Sequence, residues 1–134
     1  MDTTTYLQDH LEAYRRGDRD RAFFGLINRG DSLLPDLVKA FQSEADPKVR
    51  AFIVEVLWQQ RDQRAIPALA EALNDPDERV WQEALNGLVT LASTESVEAL
   101  KMGRGRIFRT VAERDKFNTW LEEAIDQAEE ALRR

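Results

Sequence analysis

The chain has 134 residues, a 43% hydrophobic and 33% charged composition and a net charge of −6, which suits one globular domain with its own core and argues against global disorder. It has no cysteine and a single histidine, so disulfides, iron–sulfur clusters and thiolate zinc sites are excluded, and His10 alone cannot assemble the usual transition-metal site. The opening Met1-Asp2-Thr3-Thr4-Thr5 has neither the basic start nor the apolar run of a secretory leader. Apolar runs such as Ala51-Phe52-Ile53-Val54 are far below the roughly 18 residues that span a bilayer. A cytoplasmic protein without a membrane segment is expected.

No segment alternates with period 2, and helical punctuation runs the whole length. Thr3 to Thr5 cap a predicted helix with Tyr6, Leu7, His10, Leu11 and Tyr14 on one stripe, ended by Gly17. Asp18 caps the next, which turns Ala22, Phe23, Leu26 and Ile27 inward and closes at Gly30. Ser32 opens a third through Leu34, Leu37, Val38 and Phe41, with Pro35 in its first turn. Asp46-Pro47 starts a fourth, burying Val49, Ile53, Val56 and Leu57. Ile66-Pro67-Ala68-Leu69 opens a fifth and Asp75-Pro76 a sixth, with Val80, Ala84, Leu85, Leu88 and Leu91 inward. Thr94 or Ser96 caps a seventh through Val97 and Leu100. Residues 103–113 are read as a loop, and about 115–133 as a last helix carrying Phe117, Trp120, Leu121, Ile125 and Ala128.

These eight helices repeat. Leu34-Pro35-Asp36-Leu37 and Ile66-Pro67-Ala68-Leu69 lie 32 residues apart, and Val49, Ile53 and Leu57 recur as Val80, Ala84 and Leu88 after 31. The segment Ile66-Pro67-Ala68-Leu69-Ala70-Glu71-Ala72-Leu73-Asn74-Asp75-Pro76 resembles the HEAT-like repeat of phycobilisome lyase-type proteins, strongly over residues 31–100 and more weakly in the flanking pairs, as caps of a solenoid do. The expected fold is all-α, a short right-handed α-solenoid of about four antiparallel helix pairs, approximately 3–30, 31–61, 62–93 and 94–134, in one domain. The resemblance implies a concave face lined by the second helix of each pair and an Arg–Asp contact between neighbouring repeats. Arg50 fits that contact, whereas Trp81 stands where the next repeat would carry arginine.

No catalytic residue is expected, and no cofactor. The chain lacks a P-loop, a GxSxG elbow and a dinucleotide fingerprint. His10 reads as a packed flank beside Tyr6 and Tyr14. Asp75, Asp77 and Glu78 are explained by the positive end of a helix dipole. Charge is polarised: residues 66–97 carry six acids and one base, residues 101–116 six bases and two acids. The Gly103-Arg104-Gly105-Arg106 loop admits two readings, an anion contact through Arg104 and Arg106 or a solvated basic loop. Trp58, Trp81 and Trp120 likewise read either as repeat packing or as exposed anchors.

The leading expectation is a non-catalytic module that binds another protein through Arg50, Trp58, Trp81 and Glu83, with Arg104 and Arg106 at the edge, as a monomer or weak oligomer. An immunity-type inhibitor of a basic toxin is a variant suggested by size and acidity, and a phycobilin lyase-like assembly factor is a variant suggested by the resemblance. Nucleic-acid binding in the manner of HEAT-like alkylpurine DNA glycosylases is disfavoured, because Gln82, Glu83 and Asn86 offer phosphate nothing attractive.

Overall fold

The computed structural model describes residues 2–134. Among them are eight α-helices and no strand: α1 (Thr3–Arg15), α2 (Arg19–Arg29), α3 (Leu34–Ser43), α4 (Pro47–Gln59), α5 (Ile66–Ala72), α6 (Glu78–Leu91), α7 (Thr94–Met102) and α8 (Val111–Leu132). Short 3₁₀ turns at Gly30–Leu33, Gln63–Ala65 and Gly103–Gly105 join some of them. Each odd helix packs on the even helix that follows it. The even helices also pack in sequence, α2 on α4, α4 on α6 and α6 on α8, with α4 against α6 the most extensive contact in the molecule. The result is an all-α solenoid.

The repeat predicted from spacing is the core. Val49, Ile53 and Leu57 are buried on α4, and Val80, Ala84 and Leu88 occupy the same places on α6. Leu34 and Leu37 on α3 match Ile66 and Leu69 on α5, all buried. Such a core binds each pair to its neighbours rather than to a central hub.

Helix starts depart from the sequence reading in ways that have local causes. Asp2, not the threonines, caps α1 by accepting from the Thr5 N–H at 2.7 Å. A 3₁₀ turn displaces Ser32 from the start of α3. Ser93 caps α7, with Ser96 bonding back to the Ser93 N–H in a reciprocal box. α8 begins at Val111, with Thr110 as its cap, so the predicted loop is shorter than 103–113. α6 is capped by Asp77 and not Asp75. Asp75 is buried, and its carboxylate is held by Arg50 and the Asp77 N–H. Gly17 and Gly30 end α1 and α2 at φ of 95° and 76°, values that a side chain disfavours.

Candidate partner-binding groove

Residues on α4, α6 and α8 form one face of the molecule. Trp58 lies near the end of α4 because Gly87 on α6 leaves room for it. A Cβ on Gly87 would come within 2.5 Å of the Trp58 Cβ. The indole N–H of Trp58 donates to Glu83 Oε1 at 3.0 Å, tying α4 to α6. Across α6, Trp120 projects from α8 and is 45% exposed. Trp58, Leu85, Val89, Trp120, Glu123 and Gln127 are among the residues that line a groove of about 420 Å³ between the two indoles. A second concavity of about 370 Å³ adjoins it along α4 and α6, bordered by Tyr14, Lys48, Glu55 and Glu83. Asn86 borders both.

Electrostatics differ between the two. Beside the second, Arg19 pairs with Glu55 at 2.7 Å, Arg79 with Asp77 at 3.0 Å, and the Lys48 ammonium lies 5.9 Å from the centre of the Tyr14 ring. In the first groove the lining includes the carboxylate of Glu123 and no basic side chain. Glu83, behind Trp58, is half-buried, and desolvation pushes its carboxyl above the ordinary glutamate range while the Trp58 hydrogen bond opposes the shift.

The residues expected in the site separate. Trp58 and Glu83 lie together, joined by the indole hydrogen bond. Trp81 is buried at 5% exposure, with its ring edge-on to Phe117 at 5.1 Å, so its placement as a docking contact is corrected to a core role. Arg50 is also an internal residue. It holds Asp75 through Nε and Nη2 at 2.9 and 3.1 Å and donates to the carbonyls of Glu44 and Ala45, which is the inter-repeat contact that the resemblance implied. Arg104 pairs with Glu122, and Arg106 donates to the carbonyls of Leu73 and Asp75 while covering Phe108 and Phe117. Burial lowers the Arg106 pKa from its ordinary value. Both guanidiniums of the glycine loop are therefore engaged within the chain. The loop meets the carbonyls of Leu73 and Asp75 between α5 and α6, whereas the groove lies beside Leu85 to Thr90, roughly 10–18 Å beyond the first residue of α6 at 1.5 Å per residue.

Much of the basic segment is similarly neutralised. Lys101 pairs with Glu129, Arg114 with Asp115 and Lys116 with Glu78. Among the described residues no group of three metal-ligating side chains converges, and no helix is long and apolar enough to cross a membrane.

A family model for HEAT repeats matches residues 34–113, from the start of α3 into α8. The chain belongs to the HEAT-repeat family. Comparison with curated proteins finds no match. In this HEAT-repeat chain, α4 and α6 lie wholly inside the matched region, whereas Trp120 and Glu123 on α8 lie beyond it. No motif in the sequence singles out Glu123, and Trp120 reads there either as packing or as an exposed anchor. Their one sequence signal is the i, i+3, i+7 spacing of Trp120, Glu123 and Gln127 on one helix face.

Proposed function

We propose that this HEAT-repeat chain is a non-catalytic protein-binding module whose partner docks on the face of α4, α6 and α8. The observation that supports this reading is the pair of indoles, Trp58 and Trp120, flanking a groove built by three successive even helices. Interface hot spots favour such amphipathic aromatics, which supply large contact area with few rotatable bonds. A solenoid holds them on rigid helices, so little ordering cost is incurred on docking. The internal matching of Lys101, Arg104, Arg106 and Lys116 disfavours a nucleic-acid partner, since few cations remain to displace counterions from phosphates.

A photo-cross-linking amino acid at Gln82, on this face, should capture a discrete partner in cells. The same group at Glu71, on the odd-helix side, should not. Capture from Glu71 alone would place docking on the other face and overturn the reading.

A further inference from the structure

We infer that the groove between Trp58 and Trp120 receives an arginine side chain presented by the partner protein. This inference rests on the protein-binding reading above and specifies what that face selects.

The groove's lining combines aromatic, apolar and anionic groups. Leu85 and Val89 of α6 lie in it with Trp58 of α4 and Trp120 of α8. Glu123 is in the lining, and Glu83 accepts the Trp58 indole N–H from behind. Among the described residues neither carboxylate has a cation within ion-pair distance, whereas the adjoining concavity has its Arg19–Glu55 and Arg79–Asp77 pairs already made. A cation is the missing complement.

Three chemistries can be compared for that position. An acidic segment would meet Glu123 with like charge. A purely apolar segment would strip water from Glu123 and the neighbouring amides without replacing their hydrogen bonds, which is costly. A guanidinium does both jobs at once: its flat face stacks on an indole, and its edge N–H groups donate to a carboxylate or to the side-chain carbonyls of Asn86 and Gln127. The hydrogen bond from Trp58 to Glu83 strengthens the stacking, because polarising the indole N–H leaves more electron density in the ring and makes its face a better partner for a cation. Lysine has the charge but lacks the planar fork, so it should bind less well.

The test uses the full chain labelled with ¹⁵N and reads the three tryptophan indole N–H resonances, with buried Trp81 as an internal control. Blocked tetrapeptides carrying two arginines, two lysines, two glutamates or two leucines are titrated to millimolar concentration. The arginine peptide should move the Trp58 and Trp120 signals and leave Trp81 in place. The lysine peptide should act several-fold more weakly, and the glutamate and leucine peptides should move neither. Trp120→Ala and Glu123→Gln, both at exposed positions, should each weaken the arginine response at least several-fold. Unmoved Trp58 and Trp120 signals, or an equal response to the leucine or glutamate peptide, would overturn the inference. If the chain ignores the arginine peptide yet cross-links a partner from Gln82, the arginine inference fails and the docking face stands. If capture occurs from Glu71 alone, both fail.

Discussion

Arg50 and Arg106 converge on Asp75 from different repeats. Arg50 binds its carboxylate at 2.9 and 3.1 Å, and Arg106 donates to its backbone carbonyl at 2.9 Å. Arg50 precedes Asp75 by 25 residues, and Arg106 follows Trp81 by the same interval. The last repeat thus keeps an arginine at this junction although Trp81 occupies the position equivalent to Arg50. Here the arginine stands on the opposite partner and reaches back to the carbonyls of Leu73 and Asp75, just after α5.

This junction should carry stability. The Arg50 and Asp75 side chains are 16% and 7% exposed, so Asp75→Ala leaves a largely buried guanidinium without its counter-charge. Arg50 retains the carbonyls of Glu44 and Ala45, which places the expected loss at the lower end for breaking a buried pair, about 3 kcal/mol. Urea unfolding measures it. Arg79→Ala, which removes the exposed pair with Asp77, should leave the midpoint where it is.

The core positions give a second expectation. Leu88 on α6 is fully buried, and Leu88→Ala should cost about 2–5 kcal/mol. Trp81→Ala should cost about 3–5 kcal/mol, because it also removes the edge contact with Phe117. Trp120→Ala, at a 45% exposed site, should shift the thermal midpoint far less. Equal losses at Trp81 and Trp120 would contradict the different burial of the two rings.

That contrast marks the limit of what the sequence could reveal. The inward stripes were legible because burial acts on side chains at fixed helical spacing, so Val49 with Val80 and Leu57 with Leu88 could be paired by counting. The helix starts were less so. Asp75-Pro76 has the local chemistry of a cap, but Arg50 takes the carboxylate from 25 residues away and Asp77 caps instead. The three tryptophans were least legible, since all lie on even helices. What separates them is the neighbour each meets: Phe117 for Trp81, Gly87 and Glu83 for Trp58, and the open groove for Trp120.

Glu83 should make the Trp58 environment pH-dependent. Desolvation raises its folded pKa above the unfolded value, so the folded state holds its proton to higher pH. Stability from this group is then present below the unfolded pKa and lost as pH rises through the folded one. Trp58 should report a titration midpoint above the ordinary glutamate range, by its indole ¹⁵N shift. Glu83→Gln retains a carbonyl to accept the indole N–H and should abolish that titration. A midpoint at or below the ordinary range would show that the hydrogen bond outweighs the desolvation.

Gly87→Ala should separate helix propensity from packing. In the interior of a helix, alanine is favoured over glycine by roughly 1 kcal/mol, so on local grounds the change stabilises α6. The tertiary context opposes it. A Cβ at position 87 would stand 2.5 Å from the Trp58 Cβ and 2.8 Å from its Cγ. Those atoms lie next to the α4 backbone, so a rotamer change cannot carry both away and the helices themselves must part. Overpacking of this kind costs roughly 1–3 kcal/mol, and the net expectation is a loss despite the propensity gain. Gly25→Ala is the matched control. Its Cβ meets the far end of the His10 ring at 2.2 Å, and that ring can swing aside by giving up its contacts with Tyr6. Urea unfolding should therefore show a larger loss for Gly87→Ala than for Gly25→Ala. The Gly87 variant should also displace the Trp58 indole resonance, because the N–H contact with Glu83 depends on the close approach of α4 and α6. A stabilised Gly87→Ala protein with an unmoved Trp58 signal would mean that the two helices are further apart than described.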